Sequence, residues 1–434
     1  MVRITYAQLA SVLGEQSTEH VHRIAEVAES IGVRFALVGG GVRDVMLKMP
    51  TTDYDFLVDG GDMGLSAAAE LAGALRSRFG GVVKAHEAFG TATWTAPDAF
   101  FIDDGLVPEH FDFASARTEL YERPGALPIP AATTLEDDLR RRDYSVNALA
   151  LMLAPRPEYG VVIDRHDGLF DLDESILRVM HPASFQDDPT RIYRGARLSA
   201  RLGFMFAPET EALIPPALPV IDNVSGERLR TELRLILVES SAPDSLTLLD
   251  ELGALAAIHP ALGVTHTLDD DLLAVHDDPP ADLEIAAWCA WLCRLDPADL
   301  KQIAVRLAFS ASMAGAVNAT AALVRDSKAA FSTTPSIAYH RFHGLPDIAV
   351  ATAGQVLGGQ ARANAEAYLT DWRRMRTVTT GQTLKELGIA PGPRYKYILK
   401  HLLDARLDGH IQTPSDEAVM LQILIDRLPT DDPA

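Results

Sequence analysis

The chain has 434 residues, 47% of them apolar and 23% charged, with a formal net charge of −21 at pH 7. At about 100–200 residues per domain this length predicts two to four domains, and no apolar run reaches the roughly 18 residues that span a bilayer. A membrane-spanning helix is therefore not expected, and the charge argues against bulk electrostatic attraction to nucleic acid, which leaves a local basic surface for such a partner. The start, MVRITYAQLASVLGEQ, carries no apolar secretory core, so a cytoplasmic protein is expected.

Residues 17–31, STEHVHRIAEVAESI, repeat apolar residues near the helical period behind a Ser-Thr start and predict a helix. VRFALVGG and DYDFLVDG are short apolar runs ending in glycine, which predicts strands, with GVRDVMLKM as a helix between them. Further strands are expected at GGVVKAH, TATWTA, FFIDD and EHFDFAS. Strands with few helices between residues 35 and 115 predict one mixed sheet with helices on one side, an α+β fold. After about residue 135 the pattern turns helical, at LEDDLRRRDYSVNALALML, DDPTRIYRGARLSARLGF, GERLRTELRLILVE and DSLTLLDELGALAAI. THTLDDDLLAVHDDPPADLE reads as an acidic loop with a surface helix. Cys289 and Cys293, four apart in AAWCAWLCRL, read as packed thiols, since two ligands without a neighbouring His or Cys make no zinc site. LKELGIAPGPRYKYILKHLLDARLDG reads as helix, Gly-Pro turn, helix.

One stretch carries chemistry. Gly39, Gly40 and Gly41 follow a strand and open a helix, where backbone N–H groups can cradle phosphate. A dinucleotide fingerprint needs G-x-G-x-x-G, and Asp44 breaks that pattern. Asp53 and Asp55 alternate as strand residues do, so both carboxylates face one side. Two like charges held together call for cations, and oxygen-only ligands suit Mg²⁺ beside a phosphorylated substrate. Two such ions serve an in-line displacement at phosphorus. A plain tight turn with solvated aspartates is the alternative.

With these motifs the sequence resembles class II tRNA nucleotidyltransferases, the CCA-adding enzymes of the polymerase-β-type superfamily, and the related bacterial poly(A) polymerases. The resemblance rests on Gly39-Gly40-Gly41-Val42-Arg43-Asp44, Asp53-Tyr54-Asp55, Arg141-Arg142-Asp143 followed by Asn147, Asp187-Asp188-Pro189-Thr190-Arg191 continuing to Arg194 and Arg197, and ERLRTEL at 227–233. It implies a nucleotidyltransferase head (1–150), a nucleotide-selecting neck (151–240), a helical body (241–345) and a tRNA-binding tail (346–434). It also implies that Asp53 and Asp55 hold two Mg²⁺ ions, that Gly40 and Arg43 contact the triphosphate of CTP or ATP, and that Arg142, Asp143 and Asn147 line the nucleotide site. Asp112, in HFDFASAR, is a candidate third carboxylate, with a solvated strand face as the alternative. The first position of the family's E-D-x-x-R is Asp187 here, a shorter side chain.

Base choice follows from donors and acceptors. Cytosine and adenine offer an amino donor beside a ring-nitrogen acceptor; uracil and guanine present the reverse. A carboxylate only accepts and a guanidinium only donates, and Asp188 and Arg191, at i and i+3, share a helix side. Asp before Pro is also what a helix cap looks like. Arg194 and Arg197 continue the stripe toward phosphate or toward neighbouring carboxylates.

For RNA, residues 371–400 place Arg373, Arg374, Arg376, Arg394, Lys396 and Lys400, with Lys385, against Asp371 and Glu386. That local excess fits a phosphate backbone; a solvated helix face is the alternative. The partners expected are tRNA, CTP and ATP, with no membrane and no DNA. A CC-only or A-only enzyme, a poly(A) polymerase and a non-catalytic RNA-binding protein stay open at this point.

Overall fold

The structure is a computed structural model that describes residues 2–51, 54–101, 110–120, 129–326 and 334–427. The chain divides into two compact units, one of residues Met1–Arg228 with Leu248–Ile258, the other of Leu229–Thr247 with His259–Ala434.

The first unit is built on a seven-stranded mixed sheet. Its strands are β1 (Arg34–Val38), β2 (Asp55–Asp59), β3 (Val82–His86), β4 (Thr91–Thr95), β5 (His110–Ser115), β6 (Leu149–Ala154) and β7 (Val162–Asp164), ordered β3-β4-β5-β2-β1-β6-β7. Only β2 and β5 run parallel; the other neighbours pair antiparallel. Helix α1 (Glu15–Ser30) buries Val21, Ile24, Ala25 and Ala28, the i, i+3, i+4, i+7 face that its sequence period requires. It packs with α3 (Ala67–Phe79) on one face of the sheet, over the rings of Phe35, Phe56 and Phe113. The opposite face is not open. Small residues there, Ala36, Ala148 and Ala150, let Leu135 and Leu139 of two short helical turns come down against Leu57 and Met152.

Two expectations fail here. LEDDLRRRDYSVNALALML is helical only at Leu135–Asp138 and in two 3₁₀ turns, and its end is strand β6. Every residue of β6 is buried, so it lacks the alternation that marks a half-exposed strand, and a fully apolar run is ambiguous between helix and strand. FFIDD is not a strand where it is described. Phe100 ends a 3₁₀ turn and Phe101 is irregular, while residues 102–104 lie outside the described residues. Phe100 is instead packed edge-on to Phe79 and Trp94. Burying a Phe contributes about 1.5–3 kcal/mol, more than the ~1 kcal/mol span of strand propensity.

The same packing makes a prediction. His20 on α1 is fully buried between the rings of Phe100 and Phe101, and neither ring nitrogen has a hydrogen-bond partner. Burial, then repulsion from Arg23, push its pKa below the ordinary value against the pull of Glu19. The unfolded chain therefore takes up a proton first, and the stability that is full above about pH 6.5 is lost as pH falls toward the folded value, by at most about 1.4 kcal/mol per pH unit. Urea midpoints recorded from pH 7.5 to 5 should fall less steeply in His20→Leu; parallel curves for the two proteins would remove His20 from the account.

The second unit is helical. Phe342, Ala353, Ala361, Ala365 and Tyr368 form one of its cores, and Leu384, Ile398, Leu402 and Leu424 another toward the C-terminus. Cys289 and Cys293 are free and buried, and burial pushes both thiols up to about 12, which leaves them inert. No helix among the described residues is long and apolar enough to cross a membrane.

Candidate active site

At the end of β1 the chain turns at Gly39 (φ 73°) into helix α2 (Gly40–Leu47). A side chain at Gly39 would meet both a forbidden backbone angle and Nη1 of Arg142, 3.0 Å from an added Cβ, with Asp55 Oδ2 at 3.7 Å. The turn thus brings a guanidinium and a carboxylate against the first N–H groups of a helix.

Asp55 opens β2, exposed, and lies in register with Asp112 of β5, which in turn faces Thr93 of β4. Side chains paired across neighbouring strands share a face, so Asp55, Asp112 and Thr93 form a row of oxygen-bearing side chains. The Thr93 hydroxyl donates to Asp112 Oδ1, and His110 Nε2 lies 3.7 Å from its Oδ2. Asp53 lies outside the described residues. Among the described residues no group of three acidic, His or Cys side chains forms a complete cation site.

Beneath the turn, Arg43 is buried. Its Nε and Nη2 donate to Asp44 Oδ1, and Nη1 donates to Asn147 Oδ1 at 2.8 Å. The Asn147 amide donates to Asp143 Oδ1 at 3.1 Å, which also accepts from the Tyr144 N–H. Burial alone would raise the Asp143 carboxyl, but Arg194, the Asn147 amide, Arg191 and the Tyr144 N–H together hold it below its ordinary value. It is therefore a fixed anion.

Just before the Arg-Arg-Asp motif Arg140 is largely solvated, while Arg141 and Arg142 turn inward. Asp138, fully buried, accepts from the Arg117 N–H and from Arg141 Nε, and lies 3.4 Å from Arg142 Nη2. Arg141 Nη1 also donates to Glu119.

Helix α4 (Thr190–Leu202) supplies the other wall. It approaches so closely at Gly195 that an added Cβ would sit 2.1 Å from the Tyr144 hydroxyl and 2.6 Å from the Phe206 ring. That hydroxyl donates to the Arg191 carbonyl at 2.7 Å, and burial keeps it protonated well above its usual range. Asp188, just before the helix, uses Oδ1 as a cap, accepting from the N–H and Oγ1 of Thr190, and Arg228 Nη2 donates to the same oxygen at 2.8 Å. Its Oδ2 is 3.6 Å from Arg194 Nη2 and receives no hydrogen bond among the described residues. Arg191, 4% exposed, donates from Nη2 to the Arg141 carbonyl at 2.7 Å, while its buried Nη1 has no partner. The side chains of Asp188 and Arg191 do not pair with each other; among the described residues Asp188 Oδ2 is shared only with Arg194 as an ion pair, and Arg191 Nη1 is an unmet donor.

These elements enclose a cavity of about 490 Å³ lined by Gly39, Gly40, Arg43, Asp55, Arg142, Asp143, Asn147, Asp188, Arg191, Arg194 and Arg197. Among the described residues, the structure thus brings together the expected residues of the first unit except Asp112. Sequence reading missed Glu119, Arg141, Arg201 and Arg228, which also line it. Arg201 extends the stripe of α4, a signal present in the sequence. Arg228 lies 40 positions from Asp188 in a quoted motif and carries no local sign of its contact. In all, eight arginines face four carboxylates, so an acidic chain has a cationic cavity suited to a polyphosphate.

In the second unit, Arg376, Lys396 and Lys400 line one cavity of about 650 Å³ with His340 and His343. Arg373 is paired with Asp347, Lys400 with Asp404 at 2.7 Å, and Arg374 and Arg394 do not line it.

Residues 35–178 match the poly A polymerase head domain family, and residues 203–264 match a probable RNA- and SrmB-binding site of polymerase A. The chain is 34% identical to the CC-adding tRNA nucleotidyltransferase of Deinococcus radiodurans, over 89% of this chain and 88% of that protein. It is 32% identical to the A-adding tRNA nucleotidyltransferase of Geobacter sulfurreducens over 91% of this chain, and spans 45% of that protein's length. The Thermotoga maritima CCA-adding enzyme complexed with tRNA shares the fold, with a TM-score of 0.73 at 22% identity over 98% of this chain and 99% of that one.

Proposed function

From the premise that this chain belongs to the tRNA nucleotidyltransferase family, we propose that it adds C, A or both to the 3′ end of tRNA in the cytoplasm, taking them from CTP and ATP without a template. The observation that carries this reading is the open pair in the cavity. Asp188 Oδ2 is ion-paired with Arg194 Nη2 at 3.6 Å and keeps lone pairs for a further donor, and buried Arg191 Nη1 has no partner among the described residues. An acceptor beside a donor matches the amino and ring-nitrogen edge of cytosine and adenine, and mismatches uracil and guanine.

The chain's residues would act as follows. The N–H groups at Gly39–Gly40 and the Arg142 guanidinium receive the triphosphate. Arg43, bonded to Asp44 and Asn147, places a buried positive charge under that turn and aims Asn147. The RNA 3′-hydroxyl attacks the α-phosphorus, a new P–O bond forms, and pyrophosphate leaves with its charge met by the cavity's arginines. Asp55, with Asp112 beside it and Asp53 upstream, would hold Mg²⁺, and the all-oxygen row ending in Thr93 fits that hard cation. When bound, the metal supplies Lewis-acid stabilisation and lowers the pKa of the attacking hydroxyl. In the second unit, Arg376, Lys396 and Lys400 would meet the RNA backbone, with Arg373, Arg374 and Arg394 around them.

The test offers tRNA transcripts ending before CCA, after C and after CC, with Mg²⁺ and labelled CTP or ATP. Incorporation on all three ends identifies a CCA enzyme, on the first two a CC-adding one, on the last an A-adding one. Long A tails on unrelated RNA would favour a poly(A) polymerase. No incorporation on any RNA would leave only RNA binding.

A further inference from the structure

In the proposed reaction the Arg142 guanidinium meets the triphosphate, so what aims it matters. Among the described residues its buried Nε has no hydrogen-bond partner, and Nη2 reaches a single acceptor, Asp138 Oδ2, at 3.4 Å. Nη1 lies against the glycine turn, 3.0 Å from where a Cβ on Gly39 would stand. The guanidinium thus bridges a buried carboxylate and the start of helix α2.

Asp138 is fully buried and does not line the cavity. Its Oδ1 accepts from the Arg117 N–H at 3.1 Å and from Arg141 Nε at 2.9 Å, which leaves Oδ2 for Arg142. A buried charge persists only where it is paired. Arg141 alone meets that need, so the second oxygen, aimed at Arg142, is the informative one. The support is firm. Asp138 ends the helical turn Leu135–Asp138, whose first N–H donates to Asp59 Oδ2 of β2. Leu135 and Leu139 pack that turn against Leu57 and Met152 of the sheet.

We propose that Asp138 is a positioning residue for the nucleotide's phosphates: it holds the Arg142 guanidinium against the Gly39–Gly40 turn before CTP or ATP arrives. This inference rests on the nucleotidyltransferase reading and deepens it. An arginine left free loses rotamer freedom when it closes on a phosphate, and one fixed in advance avoids that loss. The effect falls on the phosphates and spares the base. Asp138→Asn isolates the oxygen concerned. The Arg117 N–H and Arg141 Nε keep the amide oxygen where Oδ1 stood, so the NH₂ group faces Arg142 Nη2, donor against donor. Arg141, whose carbonyl anchors Arg191, keeps its own bond.

The experiment measures binding of CTP and of CMP to the full chain by calorimetry, with Mg²⁺ and without RNA. Wild type should bind CTP at least about tenfold more tightly than CMP. Asp138→Asn should weaken CTP roughly tenfold, the scale of one hydrogen bond to a charged group, and leave CMP nearly unchanged. In turnover, KM for CTP should rise while KM for tRNA holds. Added to Arg142→Met, Asp138→Asn should weaken CTP no further, as coupling through one guanidinium requires. If Asp138→Asn does not fold, Asp138→Glu decides: it keeps the charge, moves it by one methylene, and should also weaken CTP with CMP spared. Equal losses of CTP and CMP, an unchanged CTP affinity, or a further loss in the double variant each overturn the inference. A wild type that binds CTP no better than CMP would instead sink the polyphosphate reading of the cavity, and the inference with it.

Discussion

Asp55→Ala loses nucleotide incorporation by roughly a thousandfold or more, the scale of a group that stabilises transition-state charge, while its affinity for tRNA stays near wild type. The separation follows from where Asp55 sits. It is exposed at the start of β2, its side chain makes no hydrogen bond or ion pair among the described residues, and it lies beside the turn at Gly39 and in register with Asp112. Removing it costs no buried partner, so the fold should not respond. Asp59, four residues on, is the contrast: it accepts from the Leu135 N–H and lies 3.6 Å from Arg34, and so holds the sheet to its covering turn. Single-turnover incorporation and filter binding on the same preparation check the claim. Full turnover in Asp55→Ala would overturn the assignment of the row formed by Asp55, Asp112 and Thr93.

Asp188→Asn narrows base choice. Oδ1 is held by three donors, from Thr190 and Arg228, so the amide must keep its oxygen there and present its NH₂ group where Oδ2 stood. A donor then meets the amino group of cytosine or adenine, while uracil gains a match at its keto oxygen but still sets its N3–H against Arg191, so the preference narrows and does not invert. Losing a hydrogen bond to a charged group costs about 1.5–3 kcal/mol, so kcat/KM for CTP and ATP should fall roughly 10- to 100-fold as UTP gains. Competition between labelled CTP and UTP on one tRNA end reads the ratio directly. An unchanged ratio would mean that Asp188 is a cap and nothing more.

The parts of the site that sequence reveals are those made by local chain geometry. Gly39 to Asp44 are a turn and a helix start, and Asp188 to Arg197 are one helix, so spacing alone places their side chains. The α+β class was equally legible, because β1, β2, β4 and β5 alternate or end in glycine. What escaped was set by distant contacts. β6 lies inside a sheet buried on both faces, which removes the period that would mark it. Arg228 and Glu119 reach the cavity from elements that only the folded unit brings near. Phe100 left its expected strand because an aromatic cluster held a place for it.

The contact between Gly195 and Tyr144 has a consequence for motion. With no room for even a methyl group there, and with the Tyr144 hydroxyl fastened to the Arg191 carbonyl, the backbone of α4 cannot rotate independently of the loop that carries Asp143. Any alternation between one accepted base and the other must then come from rotamer changes of Arg191, Arg194 and Arg228, which in side chains free to turn take picoseconds to nanoseconds, and not from a swing of the helix. On the proposed reading, base choice would rest on guanidinium rotamers and the Asp188 carboxylate, set on a fixed rail.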